Sequence, residues 1–507
     1  MPTLPRRYIA TLCFGLAHEG KRCVSKCMPR ATAAEKTEAS TMNFDERAMR
    51  SPWLLARSLA QRARSDSLLR NSIFIMGTNG VTASFGYLFW IVAAHTYSTY
   101  AVGLGSALIS AMSLASTLAT LGMDATLVQT LPRREAGHAW SLTLNAGLAT
   151  GILAGLLTGA IAVVTLPLFS HQFAIVEHNA IYALAFIAGV PLMTVSVLLD
   201  QAFVAERAAN NMLVRNAAVA VLKILLLALP VVLLVQVGAL GILLSGVVAM
   251  AVMLIGGLLL LLPRLGRAYC LAARGIVGQV RSMFSSLVGN HFINLGGGLS
   301  QYILPVFVAI RLSPTDNAYF YTTGKLSSLF FMMSSAVAVS LFAEGSHAAD
   351  DLPRKVRTSA AISGMLLGPA MLVCFLGGRY ILLVFGPGYA QHGLTLLMIY
   401  AASAVPDAIT NIYVSVLRVQ RRLRFAVLLQ LSMAALTLAL AWIWLPLLGI
   451  AGVGWAWLIA QVAGSLLAGV DVIRIRHHRR GIGGSAFDSG RAETEDSDQE
   501  LSGEVKQ

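Results

Sequence analysis

Apolar runs about as long as a membrane is thick, separated by short polar punctuation, recur along the chain from about Asn71 to Val472. The hydrocarbon core of a bilayer is about 30 Å thick and a helix rises 1.5 Å per residue, so a span needs roughly 20 apolar residues. Turn residues and charges divide the pattern into twelve predicted helices, at 72–94, 101–122, 140–165, 180–203, 212–236, 238–262, 284–309, 318–342, 360–384, 392–417, 425–446 and 449–472. No stretch between them is long enough for a separate soluble domain. The predicted fold class is an all-α polytopic membrane protein.

The pattern also repeats. Sliding the chain on itself by 219 residues brings Asn71 onto Asn290, Gly77 onto Gly296 and Tyr100 onto Tyr319, and superposes VSVL at Val195–Leu198 on VSVL at Val414–Leu417. Near the same offset IYA at Ile181–Ala183 meets IYA at Ile399–Ala401, and at a shorter offset Gly238 and Gly241 meet Gly449 and Gly452 at the starts of helices six and twelve. Matches that keep chain order and helix number point to a duplicated six-helix unit. Six is even, so both halves enter the membrane in the same direction, related by a pseudo-two-fold axis along its normal. That is a transporter architecture, with the substrate site expected between the halves.

Charge gives the helices a direction. The loops after helices two, four, six, eight and ten hold fifteen Lys and Arg, whereas the odd-numbered loops hold only Arg311 and Arg379, and thirteen more precede helix one. The positive-inside rule therefore predicts both termini in the cytoplasm. The predicted division is a basic, partly disordered segment 1–70, a six-helix lobe 71–263, a cytoplasmic linker 264–283, a second lobe 284–473 and a disordered tail 474–507. The first segment lacks the apolar core and cleavage site of a signal peptide, and its first residue is either Met1 or Met42. The acidic Ser/Gly-rich end cannot bury enough apolar surface to fold.

Composition agrees: 56% of residues are hydrophobic, 12% are charged and the mean hydropathy is +0.70. The net charge of +14 is accounted for by topology and calls for no nucleic acid. The five cysteines fall in the N-terminal segment (Cys13, Cys23, Cys27), a cytoplasmic loop (Cys270) and one span (Cys374), where neither disulfides nor a metal site is expected. The chain has no Walker lysine loop, dinucleotide-type glycine fingerprint or His-Glu metal pattern, and its serines lack a base and an orienting partner. No cofactor and no enzymatic activity are predicted, and no catalytic residue is assigned.

The informative residues are polar ones at membrane depth. Of 38 Lys and Arg, only Lys223 and Lys325 fall deep inside predicted helices, away from their ends. A cation there costs at least about 2.5–3.5 kcal/mol unless it snorkels, is paired or faces water. Lys325 lies about eight residues into helix eight, roughly 12 Å along it, which is deep for snorkelling. It either faces an aqueous cavity, where it could meet a phosphate, or is buried in a hydrogen bond or ion pair. Lys223 is read as the more structural of the two. Helix seven carries Asn290, His291, Asn294 and Gln301 around Gly296–Gly298, and helix one carries Asn79 between Gly77 and Gly80. These are candidate bends, and amides suit a sugar-lined path because they both donate and accept hydrogen bonds, although they equally suit bonds across packed helices. Asp407 and Asn411 share a face of helix ten beside Pro406, where the carboxylate can take a proton or sodium ion for coupling or pair with a lysine. Asp124, Asp200 and Glu344 sit near helix ends and are expected to be solvated or interfacial. Gly147, Gly151, Gly155 and Gly159 form a smooth packing ridge on helix three.

Five segments carry a family resemblance over about residues 71–472: YSTYAVG at Tyr97–Gly103, LGMDATL at Leu121–Leu127, AYFYTTGKL at Ala318–Leu326, LFAEGS at Leu341–Ser346 and FGPGY at Phe385–Tyr389. In order and spacing the chain resembles the polysaccharide-transporter family, the O-antigen and exopolysaccharide flippases of the MOP superfamily, which also contains multidrug and toxin extruders and the lipid II flippase. The resemblance implies a bilobed fold whose central cavity opens alternately to each side. It implies as substrate a polyprenyl-diphosphate-linked oligosaccharide carried across the inner membrane for polysaccharide biosynthesis. Family members line the cavity with cations for the diphosphate, a role that falls here to Lys325 and, more weakly, Arg311. Membrane lipids and the polysaccharide polymerase and export proteins are the implied partners. The chain departs from the pattern at Ala343, where the family has proline, and in a cavity less basic than that of the lipid II relatives. Competing readings are an ion-coupled drug or metabolite extruder of the same superfamily and a non-transport subunit of a glycan assembly complex.

Overall fold

A computed structural model of the chain describes residues 67–232, 238–272, 274–347, 351–420 and 422–474, apart from some side chains within helices, those of Asn290, Asn294 and Glu344 among them. Residues 1–66 and 475–507, nearly all of the basic N-terminal segment and of the acidic tail, lie outside the described residues. Twelve long helices account for most of the rest: α1 (Ser67–Thr96), α2 (Thr99–Ala119), α3 (His138–Phe169), α4 (Ala180–Ala205), α5 (Ala209–Val232), α6 (Gly238–Gly256), α7 (Ile276–Arg311), α8 (Pro314–His347), α9 (Leu352–Leu383), α10 (Pro387–Val419), α11 (Leu423–Leu448) and α12 (Ile450–Arg474). Ten helices among the described residues are long and apolar enough to cross a membrane. α1 and α7, which open the two halves, carry the glycine and amide clusters noted above. Both run unbroken through their glycines, as α10 does through Pro406, so the expected bends do not interrupt the helices.

Local chemistry sets the helix ends. Ser98 caps α2 by accepting from the Ala101 N–H, and Asn179 caps α4 by accepting from Ile181 and Tyr182. Ser313 and Asp316 cap α8 reciprocally: the Asp316 N–H donates to the Ser313 hydroxyl at 3.0 Å, and that hydroxyl donates to the Asp316 carboxylate at 2.6 Å. α6 continues into a π-helical segment, Gly257–Leu261, that hydropathy does not reveal.

The same pairings recur in both halves. α1 packs on α5 as α7 does on α11, α2 on α4 as α8 on α10, and α3 on α4 as α9 on α10. The glycine ridge of α3 makes one of these contacts: a Cβ on Gly155 would stand 2.6 Å from the Pro191 Cα on α4, so only glycine permits the approach. Outward-facing apolar side chains such as Leu168 and Met365, each 79% exposed, need a lipid surround.

The halves meet through α2, which packs on both α7 and α8. At the end that the charge distribution predicts to be outer, a Cβ on Gly103 would lie 1.5 Å from the Pro314 carbonyl oxygen. Beside this close approach the Asn317 amide donates to the Gly103 carbonyl at 2.9 Å and to the Ser106 hydroxyl at 3.0 Å. An apolar cluster including Phe89, Trp90, Val102, Ala318, Phe385 and Tyr389 joins the halves there.

At the opposite end the segment between the halves is fastened to α3. The Cys270 N–H donates to the Ser141 hydroxyl at 3.0 Å, and the Asn145 amide donates to the Cys270 and Ala272 carbonyls at 3.1 and 3.2 Å. The Tyr269 hydroxyl donates to Asn145 Oδ1 at 2.8 Å, and burial raises its phenol further above the ordinary value, keeping it a donor. Arg267 pairs with Glu206, which also accepts from the Trp140 indole. The first turns of α7 pack on α3, and their Met283 and Leu287 belong to one buried cluster with Met123, Leu127 and Trp140.

Two charged residues depart from expectation. Arg215, counted above with the loop at the predicted start of helix five, lies six residues into α5, and Asp200 is buried rather than solvated. They form a buried pair at 2.7 Å, with side chains 2% and 13% exposed, completed by Asn216, which donates to Asp200 at 2.9 Å, and the Ser196 carbonyl, which accepts from Arg215 at 3.2 Å. Helix packing brings residues fifteen apart in sequence face to face, a neighbour relation that hydropathy does not carry.

Candidate functional site

A cavity in two parts follows one face of α8, the first part between the halves and the second within the C-terminal half. Tyr321, Lys325, Ser328 and Met332, at helical spacings of four, three and four, line both of its parts. The first part, about 530 Å³, is walled by α1, α2, α4, α5 and α6, with Asn79, Tyr87, Trp90, Asn216 and Lys223 among its lining residues. The second, about 500 Å³, is walled by α7, α10 and α12, with Gln301, Tyr400, Asp407, Asn411 and Trp457. Behind it a pocket of about 220 Å³ shares Gln301, Asp407, Asn411 and Trp457 and adds Ser300, Thr410, Thr437 and Gln461.

Among the described residues lining the two parts, the charged side chains are Lys223, Lys325 and Asp407. Lys325 stands eleven residues into α8 and Lys223 fourteen into α5, roughly 16 and 21 Å along their helices, well away from the ends of each. Neither makes an ion pair among the described residues. Each ammonium instead faces an aromatic ring, Lys223 Nζ 4.8 Å from the centre of Phe89 and Lys325 Nζ 5.1 Å from that of Tyr321. Such contacts offset part of the cost of desolvation and leave the charge available to an anion. The Tyr87 hydroxyl donates to the Lys325 carbonyl at 2.6 Å, fixing α1 to α8 beside the lysine. Two like charges on one largely apolar-walled cavity raise a local potential that favours anions.

Asp407 is buried in the second part, where the Asn411 amide donates to its Oδ2 at 2.9 Å and to the Ser334 hydroxyl at 3.0 Å. The i, i+4 pairing on α10 therefore exists as a bonded pair, and Asp407 makes no salt bridge with Lys325 or Lys223.

The candidate residues thus divide. Asn79 and Lys325 share the first part of the cavity, and Gln301, Lys325, Asp407 and Asn411 share the second. Arg311 lies apart, with its guanidinium 4.2 Å over the Trp442 ring and its Nη2 donating to the Trp442 carbonyl at 3.4 Å. The side chains of Asn290 and Asn294 are outside the described residues. Sequence reasoning did not assign Lys223, Tyr87, Tyr321, Trp457 or Gln461 to the site. Lys223 carried the same signal as Lys325, a cation at membrane depth, whereas aromatic residues and a lone glutamine in apolar helices carry none.

Two six-helix bundles, with the cavity running along α8 where they meet, make up an all-helical membrane fold. No protein-family model and no curated protein matches the sequence. Solved structures do match by fold. The lipid II flippase MurJ in an inward closed conformation superposes with a TM-score of 0.61 at 11% identity, over 79% of this chain and 87% of that one. An inward-facing multidrug resistance MATE family transporter of the MOP superfamily gives 0.56 at 14% identity, over 78% and 96%. A MOP superfamily transporter from Pyrococcus furiosus gives 0.52 at 16% identity, over 81% and 96%. The fold of this chain is therefore the one these MOP transporters adopt.

Proposed function

We propose that the protein is a flippase that carries a polyprenyl-diphosphate-linked oligosaccharide from the cytoplasmic to the outer leaflet of a bacterial inner membrane, for polysaccharide biosynthesis. The observation that carries this reading is Lys223 and Lys325 in one inter-lobe cavity, well inside their helices, without ion pairs among the described residues and with amides, hydroxyls and aromatic rings among their neighbours. Lysines receive the diphosphate, and amides replace water around the sugars, groups whose bare transfer through hydrocarbon would be prohibitive. The lipid tail stays in the bilayer while the two bundles rock about the site. Membrane lipids surround the protein, and glycan polymerase and export proteins act on its product. Both termini face the cytoplasm in this reading.

Asp407, bonded to Asn411, is the group we assign to a coupling ion. The same residue gives a second reading, an ion-coupled drug or metabolite extruder, its one specific support. The two differ in the sign of the cargo: the lysines repel a cationic drug and attract a diphosphate.

Deleting the gene and quantifying surface glycan and lipid-linked repeat units tests the proposal. Loss of surface glycan with repeat units accumulating on the cytoplasmic leaflet is expected. Unchanged glycan together with increased drug susceptibility would replace the flippase reading with the extruder. Stably inserted Lys325→Ala or Lys223→Ala should reproduce the deletion phenotype, because a hydrogen bond to a charged group contributes about 1.5–3 kcal/mol, roughly ten- to a hundredfold in binding.

A further inference from the structure

The lysines lie in the first part of the cavity and on its dividing helix, and the second part has a different chemistry. Gln461 Oε1, Ser300 Oγ and Trp457 Nε1 are buried atoms with no hydrogen-bond partner among the described residues. Gln461 and Ser300 are only 7% and 9% exposed, and all three residues line the pocket behind Asp407. Buried polar atoms in folded proteins are nearly always bonded, so a cluster of orphans in one pocket calls for an outside partner.

The kinds of orphan narrow that partner. Gln461 Oε1 can only accept, the Trp457 indole can only donate, and the Ser300 hydroxyl can do both. A metal cation would satisfy the oxygens and leave the indole N–H unused. An anion would satisfy the indole and be repelled by Asp407. Water could bond to each atom singly but would gain nothing from the aromatic wall, where the Phe331 ring centre lies 5.4 Å from that of Trp457 and 5.9 Å from that of Tyr400. A neutral polyhydroxylated ring meets the whole set: its hydroxyls both donate and accept, and its C–H face lies against an aromatic one.

We propose that the second part of the cavity and the pocket behind it form a saccharide subsite, taking a neutral pyranose ring while Lys325, on the shared face of α8, holds the adjoining phosphate. This rests on the lipid-linked oligosaccharide reading and deepens it by dividing the headgroup between the two parts. The volume of about 500 Å³ is that of a ligand pocket.

The test uses the full chain in lipid nanodiscs with two probes, geranylgeranyl diphosphate and the polyprenyl-diphosphate-linked glycan pool extracted from the source organism's membranes, with bound lipid read by native mass spectrometry. The unaltered protein should prefer the glycosylated lipid by about tenfold or more. Trp457→Phe, which keeps the ring and loses the N–H, and Gln461→Leu should each bring that ratio towards one and leave binding of the bare diphosphate unchanged. Retained bare-diphosphate binding also reports that a variant is folded; where one variant loses it, Ser300→Ala replaces that variant. Equal binding of both probes by the unaltered protein, or a preference that survives the substitutions, would overturn the saccharide subsite and leave the flippase reading standing. Binding of neither probe would overturn both.

Discussion

At the scale of single residues the protein tolerates charge inside the membrane in two ways. Arg215 and Asp200 neutralise each other at 2.7 Å in a buried pair, whereas Lys223 and Lys325 are left facing aromatic rings in a cavity. Removing one partner of a buried pair strands the other charge. Asp200→Asn should therefore cost about 3 kcal/mol of stability, the low end for buried pairs because Asp200 is slightly exposed. A lowered unfolding temperature of the detergent-solubilised protein is the measurement, with Arg215→Met, Asp200→Asn together recovering much of the loss. The sequence distinguishes Lys325 because lysine at membrane depth is costly whatever surrounds it. It does not distinguish Gln461 or Trp457, because an orphaned atom is defined by the neighbours it lacks, and these come from other helices.

Among the helices, the contact of α2 with α8 controls the predicted outer end. Gly103 has no room for a Cβ against the Pro314 carbonyl. Gly103→Val should hold this end apart and enrich an outward-open state, seen as longer distances between spin labels at the outer ends of α2 and α8 and as weakened transport. Unchanged distances would show that the helices slide to accommodate the methyl groups. Here much was readable beforehand: twelve helices, their order and their six-helix period follow from apolar length and recurring short motifs. The ends were less so. α7 begins at Ile276 and α9 at Leu352, eight residues before their predicted starts at 284 and 360, because helices continue past the hydrocarbon, where polar residues no longer mark an end. The π segment at Gly257–Leu261 depends on packing, Gly257 lying against Leu199 and Arg215, and leaves no hydropathic trace.

For the whole molecule, orientation is the property that charge predicts and geometry can report. Cys270 is exposed and sits in the segment fastened to α3. With Cys13, Cys23 and Cys27 replaced by serine, a membrane-impermeant maleimide should label Cys270 in inverted vesicles and spare it in intact cells; the reverse pattern would invert the assigned topology.

That fastened segment has a consequence for biosynthesis. Its anchors, Trp140, Ser141 and Asn145 on α3 and Glu206 just after α4, all emerge from the ribosome before it does. Once Ala272 has been made, the first bundle can clasp the tether while the seventh helix is still being translated. The second bundle is thus started from a fixed mooring on a finished partner, which leaves a duplicated sequence less freedom to assemble its two copies in the wrong order.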